Sequence, residues 1–301
     1  MLDAFSAPGR FLRGNLHCHS TRSDGELSPE RVCHFYRENG YDFICLSDHF
    51  MARYGYPITD TRSFRTNQFT TVIGAELHAP RTKVGEDWHI LAVGLPLDFA
   101  QNGADETGVG LAERALSVGA FVAIPHPEWY TLTLEDVLSL DRVDAVEVYN
   151  TVCDYENGRG GGAYLLDQLL CSGRRMGAIA VDDAHAYQSD ALGGWVMVKA
   201  EQNEPSAIVA ALKAGHYYAS QGPSIHHLER QDDHIALETS AVDRVFLVGE
   251  GARYCAVYGQ GFTRARLPLE KFMGTWCRAV AVDNAGKCAW TNPLWLNGST
   301  D

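Results

Sequence analysis

The feature that most restricts how this chain can fold is a recurrence. Short, β-rich apolar runs alternate with helical patterns, and most of the runs lead into a histidine or a carboxylate. The runs are NLHCH, YDFICLS, FTTVIGAEL, WHILAVGL, AFVAIPH, AVEVY and RMGAIAV. The helices between them carry readable punctuation. In SPERVCHFYRENG, Ser28 is the expected N-cap, Pro29 takes the first helical position and Gly40 ends the helix, with Val32, Phe35 and Tyr36 on one face. Likewise GLAERALSVG ends at Gly119, GGAYLLDQLLCSG at Gly173 and EPSAIVAALKAG at Gly215. Such repetition predicts a parallel α/β architecture, and about seven strand units favour a closed barrel over an open sheet. After about residue 222 the segments HIALETS, RVFLVGE, CAVYGQG, TRARLPLE, WCRAVAVDN and CAWTNPLWL are short and often alternating, with a hairpin turn at Asp283-Asn284-Ala285-Gly286. The expected organisation is a barrel over residues 1–222 and a small antiparallel β domain over 223–301.

The 301 residues are enough to bury a full core, and 46% hydrophobic with 21% charged residues is the balance of an ordinary globular protein. No basic segment followed by an apolar run opens the chain, and no stretch of about 18 uncharged apolar residues occurs in it, so a cytoplasmic protein without membrane contact is expected. The eight cysteines are scattered without Cys-x-x-Cys spacing and read as reduced thiols. A net charge of −13 opposes a broad face for duplex nucleic acid and points to a small-molecule partner.

The polar residues at the run ends suggest the chemistry. NLHCHSTRSDG places His17 and His19 two residues apart, hence on one side of an extended segment, with Asp24 close behind. YDFICLS leads into Asp48-His49, FTTVIGA into Glu76, FVAIP into His126-Pro127, and MGAIAV into Asp182-Asp183-Ala-His185. In a parallel barrel the C-terminal strand ends converge on one face, where these side chains would meet. His89 instead begins its run, so either that strand runs against its neighbours or the residue reaches in from the preceding loop. The set His17, His19, Asp24, His49, Glu76, His89, His126, Asp183 and His185 mixes imidazole with carboxylate and contains no thiolate, a composition suited to Zn, Mn or Fe used for hydrolysis. At about four to six ligands per ion, water included, it fits two or three divalent ions, with a carboxylate such as Glu76 bridging.

In these motifs and their order the chain resembles the polymerase and histidinol phosphatase (PHP) superfamily, over roughly residues 10–222: His17-x-His19, Asp24 in SDG, Asp48-His49, Glu76, His126-Pro127 and Asp183-x-His185. GELSPERVCHFYRENGYDFICLSDH, HYYASQGP and AVDNAGKCAWTNPLWL further resemble its CehA/McbA-like branch of hydrolases. The resemblance implies a distorted (β/α)7 TIM-like barrel with a di- or trinuclear metal centre. It assigns His17, His19, Glu76 and Asp183 to one ion and Glu76, His89 and His126 to a second. Asp24, His49 and His185 would complete a third position or activate water. Trinuclear members often carry His where this chain has Asp24.

Two closely spaced metals would activate water and clamp the oxygens of an in-line displacement. His49, Asp183 and His185 are the expected catalytic residues, with His49 or His185 as a general acid towards the leaving oxygen. Arg22 and Arg159, the latter in the glycine-rich ENGRGGG, are candidate phosphate contacts. ENGRGGG lacks the Lys-Ser/Thr of a P-loop and reads as a flexible loop. Glu147 and Asn150 fall at a strand end and can orient a ligand or water, whereas His78 shares the strand parity of Glu76 without a family match. The expected activity is a phosphoesterase acting on a small phosphorylated metabolite or nucleotide. Carbamate or carboxylic ester hydrolysis uses the same centre, and a non-catalytic module is disfavoured because all nine positions are filled.

Overall fold

The structure, a computed structural model, describes residues 4–296. The chain order is β1 (Arg10–Asn15), α1 (Pro29–Glu38), β2 (Phe43–Leu46), β3 (His49–Phe50), β4 (Thr70–Ala79), β5 (Trp88–Val93), α2 (Gly108–Ser117), β6 (Phe121–Ile124), α3 (Leu134–Ser139), β7 (Ala145–Asn150), α4 (Thr151–Asn157), α5 (Ala163–Cys171), β8 (Gly177–Val181), β9 (Trp195–Ala200), α6 (Pro205–Ala214) and β10 (Tyr217–Ser220). Then come β11 (Ile225–Arg230), β12 (His234–Gly249), β13 (Tyr254–Pro268), β14 (Trp276–Val282), β15 (Cys288–Thr291) and β16 (Leu294–Trp295). The helices begin and end on the residues that local chemistry demands. Ser28 Oγ accepts from Arg31 N at the start of α1, Thr133 and Asp136 form a reciprocal cap on α3, and Gly215 closes α6 at φ +78°.

The architecture is mixed α/β. β1, β2 and β4 pair in parallel, as do β6, β7 and β8, but β5 runs antiparallel to both β4 and β6, and β9 antiparallel to β1. Among the described residues the ladders form one sixteen-stranded sheet whose path ends at β8, so the hydrogen bonding does not close into the seven-stranded barrel expected. Side chains bridge the gap instead. Asn292 Oδ1 accepts from Ala178 N, while Asn292 Nδ2 donates to the carbonyls of Gly215 and Tyr217. All ten residues of β4 are buried, as a strand covered on both faces must be.

Strands β11 to β16 pair antiparallel, and the expected turn at 283–286 joins β14 to β15. The β10–β15 ladder continues them into the same sheet, so the pairing does not break at residue 222. All eight cysteines are unpaired. No helix of the described residues is long and apolar enough to cross a membrane.

Candidate metal centre

The C-terminal ends of β1, β2, β6 and β8 open on one side of the sheet, and because β5 is reversed its first residues arrive there too. That answers the question His89 raised: its strand runs against its neighbours, with His89 opposite His78. β1 ends at Asn15, so His17 and His19 stand just past the strand rather than within it. Their backbone is pinned to the far side of the site by Asp183 N donating to His17 O (2.8 Å) and His19 N donating to Ala184 O (2.9 Å). Gly25 packs so closely behind His19 that a Cβ there would lie 2.5 Å from the His19 carbonyl oxygen.

Glu76 sits at the middle, fully buried. Its Oε1 is 2.8 Å from His89 Nδ1 and 3.0 Å from His126 Nε2. Its Oε2 is 2.5 Å from His49 Nδ1, 3.7 Å from His17 Nε2 and 3.8 Å from His19 Nε2. Asp183 Oδ1 lies 2.9 Å from His19 Nε2 and 3.2 Å from His17 Nε2, and Asp183 Oδ2 lies 3.8 Å from His126 Nε2. On the outer side Asp24 faces His49 Nε2 at 3.3 Å and His185 Nε2 at 3.6 Å. All nine residues of the predicted set therefore converge, in overlapping groups whose ligand atoms lie within 4.8 Å of one another. Two stand in left-handed backbone, His126 at φ +24° and Asp183 at φ +58°, local strain of the kind concentrated at functional sites.

The electrostatics match this crowding. Burial would raise the Glu76 carboxyl, but the imidazoles of His49, His89 and His17 overturn that and hold it well below the ordinary carboxylate range. Asp183 is held low in the same way, against its burial, by His17 and His19. Burial together with neighbouring His49 and His185 pushes His19 down to about 3. Yet hydrogen bonding is incomplete: the buried atoms Glu76 Oε2 and His17 Nε2 have no hydrogen-bond partner, although other donors and acceptors surround them. Buried polar atoms left open amid convergent imidazole and carboxylate groups fit divalent cations.

Behind these residues a second layer sets their aim. Glu147 Oε1 accepts from His17 Nδ1 at 2.7 Å, and its Oε2 accepts from His126 N (2.7 Å) and Asn150 Nδ2 (2.9 Å). Asn150 also donates to Asp183 Oδ2 and caps α4. Asp48 takes no place among the converging groups; it accepts from Ser20, Ser23 and Thr59 and braces the loop that carries Asp24. The cleft over the centre holds about 580 Å³ and is walled by Met51, Arg53, Arg81, Trp129 and Tyr130 among others. Neither Arg22 nor Arg159 lines it: Arg22 is exposed, and Arg159 borders a neighbouring cavity beyond Trp129. Arg53 and Arg81 do not stand out in the sequence, because the first sits in a single 3-10 turn and the second in a loop, whose courses no periodicity fixes.

No protein-family profile matches the chain, and no curated protein matches it. Among solved structures it is similar to a two-domain protein from Bacteroides vulgatus containing a predicted PHP-like metal-dependent phosphoesterase, at 17% identity and TM-score 0.53, over 96% of this chain and 98% of that one. It is less similar to a protein assigned as a metal-dependent phosphoesterase from Bifidobacterium adolescentis, at 12% identity and TM-score 0.42 over 58% of this chain and 88% of that one. It also resembles an amidohydrolase from Chromobacterium violaceum bearing sulfate and no metal, at 14% identity and TM-score 0.42 over 59% and 89%. The Bacteroides match extends over nearly the whole of both chains, and what it establishes is a shared fold.

Proposed function

We propose that this chain is a divalent-metal-dependent hydrolase and that its substrate is a phosphoester of a small metabolite or nucleotide. The observation that carries the reading is Glu76, a buried carboxylate with imidazoles ranged along both oxygens and one oxygen left without a hydrogen bond. His17, His19, Glu76 and Asp183 would hold one ion, and Glu76, His89 and His126 a second. Asp24, His49 and His185 would hold a third or act on water. Zn, Mn and Fe all suit such a donor set. Bound there, divalent ions supply charge neutralisation to a developing oxyanion and acidity to a water molecule.

The chain's own residues do the rest. Asp183 O accepts from His185 Nδ1 at 2.7 Å, which turns His185 Nε2 towards the cleft, where the ring in its doubly protonated form would give the Nε2 proton to the leaving oxygen. Arg53 and Arg81 on the cleft wall provide positive charge for the non-reacting end of an anionic substrate, which favours a phosphoester over a neutral carbonyl substrate. The test is phosphate release from a panel of phosphomonoesters and phosphodiesters by Mn- or Zn-loaded protein, with Asp183→Ala as control. Turnover abolished in the variant is expected. A protein that retains two or more equivalents of metal and releases no phosphate, yet cleaves carbamate or carboxylic esters, would replace the phosphoesterase reading with that one.

A further inference from the structure

One imidazole at the centre stands outside the nine residues above, although its ring also converges with His49 and Glu76. His78 lies two residues beyond Glu76 on β4, is 5% exposed and lines the cleft. The register fixes its place: His49 stands opposite Glu76 in the β3–β4 pair, and His78 opposite His89 in the β4–β5 pair. Its ring wedges against that of His89, centroids 4.2 Å apart at 74°, and Asn102 Nδ2 donates to its backbone carbonyl. His78 Nε2 is 2.8 Å from His49 Nδ1, in hydrogen-bond geometry. Glu76 Oε2 is nearer to the same His49 nitrogen, at 2.5 Å, yet it is left without a hydrogen bond. The hydrogen-bond geometry of His49 Nδ1 thus favours the imidazole, while the carboxylate beside it acts on the ring chiefly as a charge. Its other nitrogen, Nε2, faces Asp24 and belongs with His19 and His185.

We propose that His78 is a positioning residue for His49: its Nε2 accepts the His49 Nδ1–H and so fixes the tautomer whose Nε2 lone pair faces His19, Asp24 and His185. This rests on the metal-centre reading above. A ring nitrogen can take a cation only if it carries no proton, and the proton on the opposite nitrogen needs an acceptor. Glu76 is poorly suited to that task, because its oxygens serve the cations. A neutral imidazole accepts the proton and adds no negative charge to compete for the ion. The arrangement leaves the protonated His78 Nδ1 buried and without a partner, which is a net cost to the fold. A leucine would fill the same space without that cost, so packing alone does not account for a histidine here.

The experiment compares wild type with His78→Leu and His78→Gln, whose amide oxygen can accept in place of Nε2. In metal-free protein, nitrogen-15 NMR of the histidine rings is expected to show a hydrogen-bonded proton on His49 Nδ1, lost in the leucine variant and kept in the glutamine variant. In a titration with Mn or Zn, His78→Leu is expected to weaken the last-filled equivalent about 10- to 100-fold, the usual range for an outer-shell partner, with His78→Gln within a few fold of wild type. A leucine variant with unchanged His49 tautomer and unchanged metal affinity overturns the proposal. So does a glutamine variant as deficient as leucine, which would place His78 among the ligands themselves. If wild-type protein binds no divalent ion, the hydrolase reading fails, and the NMR comparison alone decides the role of His78.

Discussion

Glu147→Gln is the sharpest probe of the metal centre, because it changes no shape and removes one charge. Glu147 is fully buried and makes three hydrogen bonds: from His17 Nδ1 at 2.7 Å, from His126 N at 2.7 Å and from Asn150 Nδ2 at 2.9 Å. Glutamine has one oxygen for these donors, and its NH2 must face one of them. Two of the three donors, His126 N and Asn150 Nδ2, point at Oε2, so the oxygen is expected to stay there and the NH2 to turn towards His17. His17 then has to shed its Nδ1 proton and become the Nε2–H tautomer, which cannot bind a cation through Nε2. Losing a hydrogen bond to a charged group costs about 1.5–3 kcal/mol, or roughly 10- to 150-fold in affinity. The ion assigned to His17, His19, Glu76 and Asp183 should therefore bind about 10- to 100-fold more weakly, in line with outer-shell carboxylates generally. The assay is competition for Zn or Mn against a chromophoric chelator, with thermal unfolding of the metal-free protein to verify the fold. Affinity within about threefold of wild type, in a variant that folds normally, would refute the reasoning.

Three further outcomes are expected. Asp182→Ala should lower stability by about 3 kcal/mol or more in urea unfolding, since it strands the N–H groups of Leu192, Gly193 and Gly194 and the hydroxyl of Tyr36; a loss below about 1 kcal/mol would contradict this. Divalent metal at about 100 times its dissociation constant should add about 2.7 kcal/mol of stability, seen as a rise in unfolding temperature of roughly 5 °C that a chelator reverses. Charge removal at the cleft wall, Arg53→Ala with Arg81→Ala, should raise KM for a phosphoester several fold and change kcat little. Arg22→Ala, on the exposed loop outside the cleft, should change neither.

Much of this site is legible in the residues alone, because they sit where short-range patterns are strongest. Apolar runs announce strands, and a polar residue at the end of a run announces a side chain aimed at the open end of a sheet, as at His49, His126 and Asp183. Strand polarity is not legible, since it is set by which neighbour a strand pairs with; hence His89 is ambiguous in sequence and is placed only by the β4–β5 register, opposite His78. Closure is not legible either, because at β8 it depends on Asn292, a side chain 114 residues from Ala178 that bonds both banks of the gap. A carboxylate inside the buried run AVEVY is a usable signal, and it marks Glu147 as more than a loop contact.

The hardest distinction is between neighbours of one chemical type, and the structure makes it by hydrogen-bond bookkeeping. Asp182 and Asp183 are adjacent, and both are buried. The oxygens of Asp182 accept from three backbone N–H groups and two hydroxyls, which leaves no lone pair for a cation and makes Asp182 a brace of the fold. Asp183 turns aside at φ +58°, takes one amide donor from Asn150, and otherwise faces the imidazoles of His17, His19 and His126. Asp48 and Glu76 divide in the same way, the first filled by serine and threonine donors and the second open at Oε2. A donor set of N–H and O–H groups stabilises a fixed anion. A set of imidazoles, each able to give up its proton, stabilises the same anion only until a cation takes the protons' place, and that difference separates the carboxylates that hold the fold from those positioned to hold a metal.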